Sequence, residues 1–475
     1  MRSSPRVIPH AHPPLLPSGT FPPSPALTPC RTGAGKRSSR FTRTKYSDRS
    51  RNEPIREGDM SSLMLFVGVV ENREFAIRTA LESGLRLAVI DFATAPMMQL
   101  AHIQIPVDDL FDPEELQRAF DRLPERPDGV LTFYDELLEP TAVFAEKNGC
   151  VFMSPRAARL ALNKVAQRQA LTEAGLPCPQ WVTCDTLEEA TAAAARTGYP
   201  VALKTADQAG AIGKVLVTDE TLLPAAYEQV HAARLDLSVP LLVEELLTGP
   251  EYSIEGFVRQ GEATAICVTE KTTLPGPVPI VIGHALPYRG PDERELTETA
   301  IAAALALGID NSVIHVELFA TARGPMIVEV NARTAGDRLM DMIHRRSGAN
   351  PYHAAYGLAL GQDFGWTPRW EGAEAMFWAV PERGGVLAGF DGVPDVLREP
   401  SLKGLAFAAG PGMTLPDTPE HVGHRLNWVI CEGADWREAS TRARATLARV
   451  TPRFANWTAR PAPPPTTAHE ECVQR

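Results

Sequence analysis

From Leu63 onward the hydrophobic pattern switches repeatedly between two periods. LMLFVGVV is a near-continuous apolar run of the kind a strand buried on both faces shows. FAIRTALESG spaces its apolar residues helically and ends on a glycine, and LRLAVID is apolar again. This is a strand–helix–strand unit. It continues through a helical FDPEELQRAFDRL, a strand GVLTFYD, a helix across residues 140–148 and a short strand CVFMS. Such alternation predicts a parallel sheet covered by helices on both faces. A dinucleotide site would need G-x-G-x-x-G after the first strand, and only Gly68 is there, so NAD binding is excluded for this domain.

Residues 155–175 read as one helix, and PCPQWVTC as extended chain entering a second α/β region. LEEATAAAARTGYP is a helix with a Gly and Pro stop, followed by strands VALKT and KVLV around a small-residue loop, a helix over 224–234 and strand PLLVEELL. YSIEGFVR and EATAICVTE alternate around a Gln260-Gly261 turn and predict a hairpin. Beyond Gly361, AFAAGPG, RLNWVICEG and the helical WREASTRARATLARV predict a smaller α+β domain. The expected division is 1–59 as a disordered extension, 60–153 and 154–362 as two α/β domains, 363–455 as an α+β subdomain, and 456–475 as a disordered tail. The extension holds ten prolines and no periodic apolar pattern. Met60, directly before the first strand, is the expected start of translation, in preference to an Arg-rich transit segment.

SVIHVELFATARGPMIVEVNAR reads as two strands around a turn at Arg323-Gly324-Pro325. Ile314, Val316 and Leu318, with Met326, Val328 and Val330, form the expected core face. Glu317, and then Glu329, Asn331 and Arg333, occupy the other. A turn centred on position 323 places Glu317 opposite Glu329, and like charges in that position repel. A divalent cation would relieve the conflict, since two carboxylates and an amide are the hard oxygen donors Mg²⁺ prefers. Arg333 cannot ligate metal but can stabilise anionic oxygens that a metal holds. A solvated hairpin face is the alternative.

Two lysines, Lys164 in ALNKVAQRQAL and Lys204 ending VALKT, and the loop ADQAGAIGKV, where Gly210 and Gly213 free the backbone for an anion nest, are further candidates. Glu244, Glu245 and Glu251 lie in LLVEELLTGPEYSIE; on their own they read best as a sheet edge.

Charge narrows the function. The chain has 475 residues, enough for about three domains, and a net charge of −11. Residues 1–59 carry 11 Lys/Arg against 4 Asp/Glu, which leaves −18 on the rest. Such a surface repels phosphate backbones, so nucleic-acid binding is excluded, and any phosphate must meet a local cationic site. No apolar run reaches the ~18 residues of a membrane span. Seven widely spaced cysteines without a C-x-x-C pair fit the reducing cytoplasm.

Taken together and in this order, the motifs resemble the ATP-grasp family over roughly residues 63–450. The resemblance implies an ATP-grasp fold with an N-terminal parallel α/β domain and a C-terminal α+β subdomain. It also implies ATP with two Mg²⁺, or Mn²⁺, as cofactors. Lys164 and Lys204, with the loop glycines Gly210 and Gly213, then meet the ATP phosphates. Glu244, Glu245 and Leu247 meet adenine, and Glu251 the ribose. Glu317, Glu329 and Asn331 hold the metal, and Arg333 is catalytic. Within the family, GYPVALKTADQAGAIGKV, GHALP and VEVNARTAGDRLMDMIHRRSGANPYHAAYGLALG are similar to L-amino acid ligases and related carboxylate–amine ligases of the bacilysin synthetase kind. That implies small-molecule carboxylate and amine substrates, an acyl phosphate between them, and a homodimer as in many relatives. His284 and Asp337 are implied for the acceptor pocket; a structural hydrogen bond for the histidine and a helix cap for the aspartate are the alternatives. Ala211 and Lys214 depart from the Ser and Val common in the family's loop. A bicarbonate-activating carboxylase and a nucleotide-binding module without catalysis are the rival readings.

Overall fold

The computed structural model describes residues 62–69, 73–206 and 212–455. The expectations for the N-terminal extension, the start at Met60, the C-terminal tail, Gly210 and Ala211 lie outside those residues.

The first domain contains β1 (Leu63–Val67), α1 (Glu74–Glu82), β2 (Arg86–Phe92), β3 (Ile103–Val107), α2 (Pro113–Asp121), β4 (Gly129–Leu131) and α3 (Leu138–Asn148). Its four strands are parallel in the order β3-β2-β1-β4. Every residue of β1 is buried because both faces are covered. Leu63, Leu65 and Val67 pack with residues of α2 and α3, while Met64 and Phe66 pack with residues of α1 on the other side. GVLTFYD forms only three residues of strand, and CVFMS contributes a single bridge, Val151 beside Gly129.

The helix expected over 155–175 is two helices, α4 (Pro155–Leu162) and α5 (Lys164–Glu173). Asn163 interrupts them in an extended conformation and accepts the Ala166 N–H at 3.0 Å, acting as N-cap of α5. Lys164 is thereby the first residue of a helix, and its backbone N–H donates to the Ala206 carbonyl at 3.2 Å.

A small antiparallel sheet follows, built from β5 (Trp181–Cys184), α6 (Leu187–Thr197), β6 (Val201–Lys204), β7 (Lys214–Val217), α7 (Leu223–Ala232) and β8 (Leu241–Glu245). The strand order is β5-β8-β6-β7. Glu244 therefore lies on an internal strand, which corrects the sheet-edge expectation.

Next come β9 (Glu251–Arg259), β10 (Glu262–Leu274), β11 (Ile280–Leu286), α8 (Glu293–Ala306), β12 (Ser312–Thr321), β13 (Gly324–Asn331), α9 (Leu339–Ser347) and α10 (Pro351–Leu360). The C-terminal elements are β14 (Ala373–Trp378), β15 (Gly385–Asp391), α11 (Val393–Val396), β16 (Leu402–Phe407), β17 (Thr414–Leu415), β18 (Asn427–Gly433), α12 (Trp436–Leu447) and β19 (Thr451–Phe454). One sheet, ordered β13-β12-β9-β10-β11-β14-β18-β16, runs through both regions. One face packs against α8 and α12, and part of the other against α9, α10 and the first domain. The β9–β10 hairpin turns at Gln260 and Gly261 with φ of 51° and 77°, both left-handed as a tight primed turn requires.

The β12–β13 hairpin departs from expectation in an instructive way. Its turn is shorter, with Thr321 paired to Gly324, yet Glu317 still faces Glu329 because the register shifts between Glu317 and Leu318. The unpaired residue is Val328, a bulge. Beyond it the phase is inverted, so Ile327 packs in the core opposite Leu318, and Met326 and Val328 do not share that face.

Candidate functional site

Strand alternation sends Tyr252, Ile254, Val316 and Leu318 into the core and leaves a polar ladder on the reverse face. Asn331, His315 and Glu255 stand in one row across β13, β12 and β9; Glu329, Glu317, Ser253 and Thr269 stand in the next, which extends to β10. Lys271 on β10 pairs with Glu251 on β9 one row further along.

Each acid in this ladder has a protein cation. Lys271 Nζ lies 2.6 Å from Glu251 Oε1 and 2.8 Å from Glu317 Oε1. Thr273 donates to the other Glu251 oxygen at 2.8 Å. His315 reaches Glu255 through Nδ1 at 2.9 Å and Glu317 through Nε2 at 3.1 Å. Burial opposes its charge, but the two carboxylates, Glu255 first, raise its pKa to about 9, so both ring nitrogens donate at neutral pH. Burial likewise opposes ionisation of Glu317, and Lys271 and His315 outweigh it, holding the carboxyl well below its ordinary range. Lys164 Nζ sits 3.0 Å from Glu329 Oε1 and, against burial, keeps that acid ionised.

These cations use only part of what the acids offer. Lys271 and His315 share one oxygen of Glu317, and Lys164 takes one of Glu329; the second oxygen of each accepts no hydrogen bond from the described residues. Asn331, whose amide nitrogen donates at 3.4 Å to the His315 carbonyl, adds an amide oxygen. Two ionised carboxylates and an amide fit a hard divalent cation. No cluster of three or more His, Cys, Asp or Glu is arranged for a metal among the described residues, so the donor set depends on the amide.

The small sheet supplies a buried triad. Glu244 lies between Arg168, whose Nε donates at 2.5 Å, and the Lys204 ammonium. Burial alone would raise the Glu244 pKa, but the two cations bring it down to about 2; burial takes Lys204 down to about 8 even with that acid beside it. The Glu244 carboxylate thus positions Lys204 and is not free for a ligand. Glu245 turns the other way, to Arg323 at the hairpin turn. Leu247 is buried between β8 and β9. Gly213, at φ +63°, leaves no room for a side chain: an added Cβ would stand 2.7 Å from Thr205.

Arg333 is gripped by Asp135 of the first domain, with Nε and Nη2 each 2.7 Å from a carboxylate oxygen. His284 Nε2 is 2.9 Å from Asp337, which also binds Arg425 through both oxygens at 2.9 and 3.0 Å. Arg425 lies over the Trp378 ring, 4.0 Å from its centroid. Asp337, held well below its ordinary pKa by His284 and Arg425 against burial, is fully engaged. It does not cap α9, whose N-cap is Arg338, which corrects the helix-cap expectation for it.

Sequence reading missed Arg168, Lys271, His315, Asp135 and Arg425. Two had local signals: His315 is two residues before Glu317 on one strand, and Arg168 one turn after Lys164 on one helix. Asp135 and Arg425 reach the site from distant segments, and no spacing announces them.

Comparison with known proteins bears on the family and the fold. The ATP-grasp domain family model matches residues 197–341, and the L-amino acid ligase C-terminal domain 2 model residues 377–455. An uncharacterized protein, y4rH, of Sinorhizobium fredii is 26% identical over 293 residues, 60% of each chain. Human carnosine synthase 1 is 28% identical over 257 residues, 49% of this chain and 31% of that one. The chain thus spans less than two thirds of either relative. The L-amino acid ligase of Bacillus licheniformis superposes with a TM-score of 0.75 at 20% identity, covering 84% of this chain and all of that one, a likeness of fold.

Proposed function

From the premise that this chain belongs to the ATP-grasp superfamily, we propose that it is an ADP-forming carboxylate–amine ligase. One substrate carboxylate, an amino acid's, attacks the γ-phosphorus of ATP; an amine then displaces phosphate from the acyl phosphate and an amide forms. Such chemistry asks the protein for alignment and charge neutralisation more than for covalent help. The observation that carries the reading is the opposed pair Glu317 and Glu329, each with one oxygen tied to a protein cation and a second that accepts no hydrogen bond from the described residues, beside Lys164.

Glu317, Glu329 and Asn331 would hold two Mg²⁺, which supply neutralisation of the transferred phosphoryl group. Lys204, set by Glu244 and Arg168, and Lys164 meet the phosphates. Arg333, fixed by Asp135, stabilises the oxygens of the reacting carboxylate. Glu245 and Leu247 border the adenine and Glu251 the ribose. Gly210 and Gly213 belong to the loop that covers the phosphates and excludes water, which would hydrolyse the acyl phosphate. His284 belongs to the acceptor side.

The test is ADP release by the full-length protein with Mg²⁺, ATP and paired L-amino acids, against bicarbonate. Release that requires an amino-acid pair is expected. Equal release with bicarbonate alone, or nucleotide binding with no turnover on any pair, would overturn the proposal.

A further inference from the structure

Lys271 is a cation built into the polar face of the large sheet. It stands on β10, an internal strand, opposite Glu251 of β9 on one side and His284 of β11 on the other, and its side chain is 2% exposed. A side chain enclosed in this way has no route by which to carry its charge out to solvent. The ammonium therefore stays where it is, between Glu251 Oε1 at 2.6 Å and Glu317 Oε1 at 2.8 Å. Burial opposes its charge, but Glu251 and Glu317 outweigh burial and raise its pKa above the ordinary value. Lys271 remains a cation throughout the neutral range.

The balance of charge around it decides what it does. Glu251, Glu255, Glu317 and Glu329 bring four negative charges to this face, and Lys271, His315 and Lys164 offset three of them. Arg333, paired with Asp135, leaves that balance unchanged. The triad of Arg168, Glu244 and Lys204 carries one net positive charge, and Glu329 also feels Lys204. An incoming divalent ion thus meets acids whose charge the chain has already largely cancelled. At an effective dielectric of about 20, its repulsion from a fixed ammonium on the same carboxylate is several times stronger than in water. Bare Mg²⁺ also gives up its hydration shell reluctantly. Nucleotide phosphates bring the negative charge that this face lacks.

The three ladder cations are not equivalent. Lys164 begins α5 and lies on Glu329, and His315 keeps Glu255 as a second partner. Lys271 instead joins Glu317, the proposed metal carboxylate, to Glu251, the proposed ribose carboxylate.

We propose that Lys271 is a positioning residue that stands in for a cation at Glu317, so that the site refuses free divalent metal and accepts it only together with nucleotide phosphates. This rests on the metal and nucleotide site of the ligase reading and adds an order of binding to it.

The experiment measures Mn²⁺ binding to the full-length protein without nucleotide, by electron paramagnetic resonance and by the shift in melting temperature. Wild type should bind free Mn²⁺ weakly. Lys271→Met, which keeps the length of the side chain and removes its charge, should bind it on the order of 10- to 100-fold more tightly. Adding Glu317→Gln to Lys271→Met should abolish the gain, which places the ion at this carboxylate. Lys271→Arg keeps the charge and should behave as wild type. A merely structural Lys271 would lower the melting temperature of Lys271→Met and leave Mn²⁺ affinity unchanged, and that result overturns the proposal. So does a gain that survives Glu317→Gln, or an arginine variant that binds as tightly as the methionine variant. If Lys271→Met does not fold, wild type still decides: micromolar binding of free Mn²⁺ overturns the proposal, and weak binding that tightens once ADP is bound supports it. The ligase reading is tested apart from this, by ADP release with substrate pairs. Its failure would leave a gain of free Mn²⁺ binding in Lys271→Met standing.

Discussion

The ladder around Glu317 and the corner around Arg73 hold opposite charge problems. On the polar face of β9, β12 and β13 the acids Glu251, Glu255, Glu317 and Glu329 each have a cation, and Lys271 and His315 crowd onto a single oxygen of Glu317. At the corner a cation is buried without an acid among the described residues. The first arrangement is stable alone and still has oxygen lone pairs to give; the second is incomplete. A buried ion pair says little about ligands, because structure alone can require it, whereas a buried mismatch points outward. On the proposed reading the ladder is where a metal–nucleotide would bind, whereas the corner shows only a buried cation that lacks an acid partner among the described residues.

The largest way to break this contrast is to create a mismatch where none exists. Glu244→Gln would strand Arg168 and Lys204 beside each other without an acid, and should cost about 3–5 kcal/mol of stability in urea unfolding. Glu245→Ala, the adjacent residue on the same strand, removes a pair with the half-exposed Arg323 and should cost less than about 1 kcal/mol. Similar losses in the two variants would show that the Glu244 triad is not the buried electrostatic unit described above. Next in size is Glu329→Gln, which removes one negative charge from the proposed metal site but keeps its shape. Mg²⁺-dependent ADP release should fall on the order of 10²-fold or more, with unfolding little changed; retained turnover would remove the metal assignment.

How far sequence alone reached follows the same division. The parallel first domain was legible because its strands are apolar on both faces and its helices carry 3.6-residue spacing. The facing of Glu317 and Glu329 was legible through alternation, but for an incomplete reason: the turn lies earlier than expected and the Val328 bulge restores the register. A bulge leaves no mark on an apolar run, so Ile327 and Met326 exchanged faces unseen. Asn163 splitting a helix had a signal, an N-cap residue, that apolar periodicity overrode. Arg73 carried none: a lone arginine after an apolar strand looks solvated until Phe133, Thr334 and Tyr352, from distant segments, close over it.

The smallest effect sharpens the comparison most, because it separates stability from binding at one residue. Burial lowers Lys204 from an ordinary 10.5 to about 8, while Glu244 at about 2 stays ionised throughout. Between pH 8 and 10.5 the unfolded chain holds a proton that the folded Lys204 has released, so this lysine's contribution to stability rises with pH in that window. Binding runs the other way, since only the ammonium form neutralises a phosphate. ADP affinity in Mg²⁺ should be flat below about pH 7 and then fall, approaching tenfold per unit well above pH 8. Calorimetric titration across pH 6.5–9.5 checks it, with Lys204→Met expected to bind more weakly and without that slope. A wild-type slope that survives in Lys204→Met would place the titrating group elsewhere and detach Lys204 from the phosphates.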